Sequence, residues 1–279
     1  MGFHIFSKTL KDMKWALVGW GVAFALYGVM MVAIYPVFLG EGGESGTEGI
    51  EGFWETMPDA MKKMFGEFED MMTPHGFLQM EFLKFLGIAL SIFAVTQCAK
   101  LLAGEEEERT IDLLMAQPVK RWRIATEKYL AVVGGLLLIL LFIGGSMEIA
   151  AALTEGFVSD PGDLLLEVLD AAPACMVFGG MAFLGSAISG RRKAAMGIGI
   201  MLAGFTWLVN LIAPIVEKFA DAQKATIFYY FENNSPMAGT LEPIYYGVAI
   251  PLVILLFASA LSAYNCCVAR LSFSGISFK

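Results

Sequence analysis

Six stretches of the chain are almost wholly apolar, at residues 15–39, 82–103, 129–153, 171–189, 194–216 and 244–269. Each is close to the 20 or so residues that a helix needs to cross a hydrocarbon core about 30 Å thick. Helices are the expected form, because lipid offers no partner to an exposed backbone amide or carbonyl. The alternation that a membrane β-barrel needs is missing. The pattern predicts an all-α integral membrane fold of six transmembrane helices in one domain, residues 1–279. A re-entrant hairpin is the alternative for the glycine-interrupted fourth run.

Two further segments are amphipathic at helical spacing. In residues 1–14, Phe3, Phe6, Leu10 and Met13 share one side, and Lys8, Lys11, Asp12 and Lys14 the other. That suits a helix lying on the inner membrane surface. The loop 40–76 opens glycine- and glutamate-rich and then changes character. Phe53, Met57, Met61, Met64, Phe68 and Met71 recur every three or four residues, with Glu55, Asp59, Lys62, Lys63, Glu67 and Asp70 between them. An outer amphipathic helix over 53–72 is expected, ended by Thr73-Pro74. It would serve as a lid beside a translocation path or simply cover span ends.

Charge orients the chain. With a cytoplasmic N-terminus, 14 of the 19 Lys and Arg residues face the cytoplasm, while loop 40–76 holds nine acids against Lys62 and Lys63. The positive-inside rule therefore puts both termini in the cytoplasm of a plasma-membrane protein. The net charge of −8 comes largely from that outer loop and gives no sign of a nucleic-acid partner. Only 16% of residues are charged and 57% are apolar; soluble domains carry about a quarter charged. The first run is too long for a leader peptide and lacks a small-x-small site. Cys98, Cys175, Cys266 and Cys267 fall inside or at the ends of spans and read as small apolar packers. Small residues crowd spans three to five, as at Gly134-Gly135, Gly144-Gly145 and Gly179-Gly180, and favour close helix packing.

Catalytic and metal-binding patterns are scarce. His4 and His75, the two histidines, sit at opposite ends of the first span. No H-E-x-x-H and no G-x-x-x-x-G-K-[ST] occurs, so no metal site, catalytic residue or nucleotide site is assigned. The reading is a non-enzyme without its own cofactor. Polar groups within spans are few. Glu148 and Asn210 are the candidates for a substrate path, with helix–helix hydrogen bonding the simpler role of Asn210. Glu81, Lys84, Glu167 and Asp170 lie at span ends and are expected at the interface rather than buried. The aromatic run Phe228-Tyr-Tyr-Phe in loop 217–243 reads as an interfacial belt.

One loop is too ordered to be a connector. Residues 104–128 hold four consecutive acids (Glu105, Glu106, Glu107, Glu108), an apolar turn at Ile111, Leu113 and Leu114, a break at Pro118, and a basic cluster of Lys120, Arg121 and Arg123. Acids at a helix start and bases at its end match the helix dipole. Ile111, Leu114 and Met115 share a face that needs burial. Four acids would be repelled by anionic lipid, which favours docking on a cytoplasmic partner.

This island resembles the signature of ATP-binding-cassette exporter permeases of the second type, carried by Thr110, Asp112, Leu113, Leu114, Pro118 and Arg121. Arg109 stands where that family more often has glycine. Loop residues 57–66 and 73–78, and Tyr229-Tyr230 with Ser235-Pro236, are similar to a six-span branch of the same family. The resemblance implies a permease subunit that pairs with a second copy and with separate ATPase subunits, which would bind ATP and Mg. The segment from Glu105 to Arg123 would be the coupling helix between spans two and three. The alternative is an ion-coupled secondary transporter acting without ATP and sensitive at Glu148. Apolar spans fit lipids, amphiphiles or hydrophobic drugs as cargo.

Overall fold

The computed structural model describes residues 4–39, 51–52, 54–58, 62, 68, 72–107, 120–216 and 220–273. Among these the regular secondary structure is helical apart from one isolated antiparallel bridge, Ser235 to Thr240. A short helix α1 (His4–Asp12) leads into α2 (Lys14–Phe38). After the first loop come α3 (Pro74–Leu78), one π-helical turn (Gln79–Leu83), α4 (Lys84–Lys100) and a stub, α5 (Ala103–Glu107). The long α6 (Arg121–Leu153) is followed by α7 (Asp163–Leu169), α8 (Ala171–Ser189) and α9 (Arg192–Ile212). Two short helices, α10 (Ala220–Gln223) and α11 (Ile227–Asn233), precede α12 (Pro243–Phe273).

Six helical stretches are long and apolar enough to cross a membrane: Lys14–Phe38, Pro74–Lys100, Trp122–Leu153, Asp163–Ser189, Arg192–Ile212 and Pro243–Asn265. Their starts differ from the apolar runs for local reasons. Thr73-Pro74 opens a helix: the Thr73 hydroxyl accepts the Gly76 amide at 3.0 Å and Pro74 takes the first helical position. The outer helix expected over 53–72 falls mostly outside the described residues, although the Trp54 and Phe68 rings pack 5.6 Å apart. The fourth span reaches back through α7 to Asp163, a 27-residue stretch interrupted at Asp170 and long enough to cross rather than turn back as a re-entrant hairpin.

α8 is the centre of the bundle and packs against α4, α9 and α12; α6 packs against α2 and α7, and α1 lies along α6. Close approach depends on missing side chains. A Cβ on Gly199 would sit 2.7 Å from Val95 Cγ1, and one on Gly144 would sit 3.0 Å from the Leu165 Cα. Phe82, Phe93, Phe178, Phe183, Phe228 and Tyr245 fill the core. Val18, Val22, Leu26 and Met30 leave an apolar stripe on α2, and Met201, Phe205 and Leu208 another on α9. In water such stripes would be a liability; in a bilayer they are the lipid- or helix-facing surface.

Two interruptions share one device. Pro173 has no amide to give the Leu169 carbonyl, and the helix breaks between α7 and α8. There the Tyr245 hydroxyl donates to the Asp170 carbonyl (2.7 Å) and accepts the Ala174 amide (3.2 Å). Between α4 and α5, at Leu101 and Leu102, the Ser186 hydroxyl donates to the Ala99 carbonyl (3.2 Å) and accepts the Ala103 amide (2.9 Å). Each hydroxyl comes from a neighbouring helix and stands in for a lost i to i+4 bond. The π turn of the second span is served likewise: Tyr27 donates to the Glu81 carbonyl at 2.6 Å.

Candidate functional site

The flanks of the patterned island are fastened to the bundle. On the entry side, Ser186 of α8 holds the α4–α5 junction, and the Lys128 ammonium of α6 donates to the Leu101 carbonyl at 3.2 Å. The Glu107 carboxylate accepts the Arg192 backbone amide at 3.0 Å and so caps the N-terminus of α9. On the exit side, Arg123 Nε pairs with Glu127 Oε1 at 2.8 Å within the first turns of α6. The segment between is thus bracketed by α4, α6, α8 and α9. Glu108, Arg109, Thr110, Asp112, Leu113, Leu114 and Pro118 lie outside the described residues. Of Glu105, Glu106 and Arg121, only the helical backbone is described.

At the other end of the bundle a polar cluster joins segments far apart in sequence. Glu167 Oε2 accepts the Ser235 hydroxyl and the Met237 amide, each at 3.0 Å. His75 Nδ1 lies 3.0 Å from Ser235 Oγ and 3.6 Å from Glu167 Oε1. Tyr246 donates to the Asp170 carboxylate and accepts from the Asn234 amide group at 3.0 Å. Glu167 and Asp170 are 3% and 5% exposed, so the expectation that they stay interfacial is corrected. They sit at a span end, yet other segments of the chain fold over them and supply the hydrogen bonds that burial requires.

Serine, histidine and carboxylate in contact invite comparison with a hydrolase triad. In a triad the serine faces one ring nitrogen and the carboxylate the other. Here both approach Nδ1, and Ser235 donates to the carboxylate directly. The arrangement ties the start of α3 and the end of α7 to the 235–240 turn, without the geometry of a proton relay to a nucleophile. Among the described residues no three His, Cys, Asp or Glu side chains gather as metal ligands.

In the aromatic run of loop 217–243 the two phenylalanines face the core rather than a belt, while Tyr229 and Tyr230 are half-buried. Phe228 and Phe231 are 1% and 4% exposed, and Phe228 stacks on Phe178 at 5.2 Å. α11 plugs the end of the bundle, its start capped by Thr226, whose hydroxyl accepts the Tyr229 amide at 3.3 Å. Glu232 of α11 reaches Lys84 at 3.9 Å and bonds Asn210. Burial pushes the Glu232 carboxyl above the usual glutamate range, and Lys84 and Asn210 draw it part of the way back. A cavity of about 750 Å³ opens beside this cluster, lined in part by His75, Gln79, Lys84, Asp160, Asp163 and Glu232.

The two polar groups expected on a substrate path are both engaged. Glu148 Oε1 accepts the Gly162 and Leu165 amides at 3.0 and 3.2 Å and caps α7 from α6. Asn210, 6% exposed, is held by Glu232. Sequence reading missed His75, Ser235, Asn234, Tyr245 and Tyr246 as a set. The available signal was the short polar run Asn233-Asn234-Ser235 between apolar segments.

Comparison with known proteins agrees with this architecture. Residues 9–264 match the family described as "Multidrug efflux system permease Rv1217c, C-terminal domain". "Uncharacterized protein YhcI" of Bacillus subtilis (strain 168) is 29% identical over 192 residues, which are 61% of this chain and 59% of YhcI. The chain therefore spans about three-fifths of the length of that curated relative. No solved structure matches. Six membrane-length helices and a family match over nearly the whole chain lead to one conclusion: the chain is a multi-pass membrane protein and belongs to the family described as the C-terminal domain of the multidrug efflux system permease Rv1217c.

Proposed function

We propose that the chain is the membrane-spanning permease subunit of an ATP-binding-cassette exporter in the plasma membrane, with its termini and island in the cytoplasm. It works with a second copy of itself and with separate ATPase subunits that bind ATP and Mg and perform the hydrolysis. The observation that supports this reading is that the entry flank of the island is held by three neighbouring helices: α8 holds the α4–α5 junction through Ser186, α6 reaches the Leu101 carbonyl through Lys128, and α9 is tied to Glu107. Ser186 at the α4–α5 junction is the pivot.

The cargo in this reading is a hydrophobic or amphiphilic drug-like molecule, in keeping with the apolar spans and the multidrug permease for which the family is named. Glu148 and Asn210 act through helix docking, because their polar atoms are already committed to backbone amides and to Glu232. The test is co-purification with the candidate ATPase. Leu114→Asp with Pro118→Leu is expected to separate the subunits and abolish ATP-driven efflux while leaving a monodisperse permease. Continued co-purification would remove the coupling role. Flux driven by an ion gradient without ATP, lost in Glu148→Gln, would favour an ion-coupled carrier instead.

A further inference from the structure

The cavity of about 750 Å³, at the end of the bundle opposite the island, has the size of a small-molecule site. Four segments wall it: the start of the second span, the loop between α6 and α7, the end of α11 and the turn that follows it. Asp160, Asp163 and Glu232 line it together with Lys84 and His75. The His75 ring is already engaged by Ser235 and Glu167. Among the described residues, the Asp160 and Asp163 carboxylates take part in no hydrogen bond or ion pair. Lys84 stands 3.9 Å from the Glu232 carboxylate, beyond hydrogen-bond reach, so it does not saturate that group.

The backbone is shaped toward this cavity. At 3.6 residues per turn, an unbroken α-helix would set Lys84 roughly 180° round from His75. The π turn Gln79–Leu83 takes up about one extra residue, which brings Lys84 back to roughly 90° and onto the wall with Gln79 and Met80. Gln79 ties that wall to α11, its amide donating to the Glu232 carbonyl at 3.0 Å. Met80 and Met237 add flexible, polarisable surface, and Val158, 80% exposed, adds an apolar edge. Three carboxylates against one lysine repel an anion and attract a cation. A wholly apolar ligand would strip water from those carboxylates without replacing it. A bare metal ion is a poor fit, because among the described residues no three His, Cys, Asp or Glu side chains converge as ligands. What remains is a molecule with a cation at one end and an apolar body.

We propose that this cavity is a binding site for cationic amphiphiles, with the cationic group held by Asp160, Asp163 and Glu232 and the apolar body against Met80, Met237 and Val158. The inference rests on the reading of the chain as an efflux permease and narrows its cargo to one charge class. In that reading this end of the bundle faces outward, and the site takes the cargo at the end of its passage.

The test uses the full chain in phosphatidylcholine nanodiscs, with the signal of empty discs subtracted. Ethidium is the cationic probe and anilinonaphthalene sulfonate the anionic one, each read by fluorescence anisotropy. Asp160→Asn/Asp163→Asn removes two cavity carboxylates and leaves Glu232, which holds α11, in place. Glu155→Gln/Asp221→Asn removes equal charge at the same end but outside the cavity lining. Ethidium is expected to bind the wild-type chain and to lose about fivefold or more in affinity in the cavity variant, with less than about twofold loss in the control. Equal loss in both variants, or anilinonaphthalene sulfonate bound as tightly as ethidium, would overturn the proposal. If the double variant fails to fold, the exposed Asp160→Asn by itself must weaken ethidium binding, and an unchanged affinity counts against the site. Binding is measured without ATP or a partner, so the two readings fail separately. Ethidium held at the cavity by a chain that shows no efflux would sink the exporter reading alone. ATP-driven efflux with normal ethidium binding in the cavity variant would sink this site alone.

Discussion

Tyr245 donates its hydroxyl to the Asp170 backbone carbonyl at 2.7 Å, and the Ala174 amide returns a bond to the same oxygen at 3.2 Å. A side chain of α12 thereby completes the backbone of the fourth span where Pro173 interrupts it. Tyr245→Phe keeps the ring in its buried place and leaves the carbonyl and the amide without that bridge. The expected loss is about 1–3 kcal/mol, the cost of orphaning buried polar groups. It is read as a lowered midpoint in detergent unfolding, and an unchanged midpoint would show that the break is satisfied some other way.

Ser186 performs the same service for the Ala99 carbonyl and the Ala103 amide at the opposite end of the bundle. Ser186→Ala is expected to speed hydrogen exchange of the amides from 101 to 104 selectively. The amides around Ala174 should keep their protection. Uniformly faster exchange would mean that the hydroxyl supports the whole bundle, not a local pivot.

Glu148 accepts two amides at the start of α7, a cap delivered from another helix. Glu148→Ala should cost about 1–2 kcal/mol, as lost N-caps do. Glu148→Gln keeps an acceptor oxygen and should retain most of the stability and the transport rate. A glutamine variant that folds normally yet transports nothing would restore a proton- or cargo-handling role to this carboxylate.

Gly144 lies one turn before Glu148 on the same face of α6, and any Cβ there would meet the Leu165 backbone at 3.0 Å. Backbone cannot step aside as a side-chain tip can. Gly144→Val is expected to cost about 1–3 kcal/mol by overpacking and to detach α7. Gly197→Val, where nothing lies within 4 Å of the added Cβ, is the matched control. Comparable losses in both would assign the effect to helix propensity instead of close packing.

The raised Glu232 carboxyl gives a pH dependence of known sign. A folded acid with a raised pKa holds its proton more tightly than the unfolded chain does, so its contribution is full below the ordinary glutamate value of about 4.3 and declines as pH rises through the folded value. Glu232→Gln removes that slope. The midpoint of the variant relative to wild type should therefore climb from about pH 4 toward pH 8. Parallel profiles would show that Lys84 and Asn210 fully offset the burial.

Much of the architecture is written locally. Lipid imposes its demand residue by residue, since any segment of about 20 apolar residues can satisfy its own backbone as a helix and enter the bilayer. Six spans, an amphipathic first helix and a patterned island could therefore be read from composition and spacing. The glycines of spans three to five announced close packing, but which helices would meet was not contained in them. Tertiary structure decided the partners: α8 at the centre, Phe228 and Phe231 turned into the core, and His75, Glu167 and Ser235 gathered from positions 160 residues apart. It also decided burial. Glu167 and Asp170 have the charge and position of interfacial residues, and only segments folded over them from elsewhere in the chain make burial affordable. Hydropathy depends on a residue and its neighbours in sequence; hydrogen-bond satisfaction depends on what arrives from a distance.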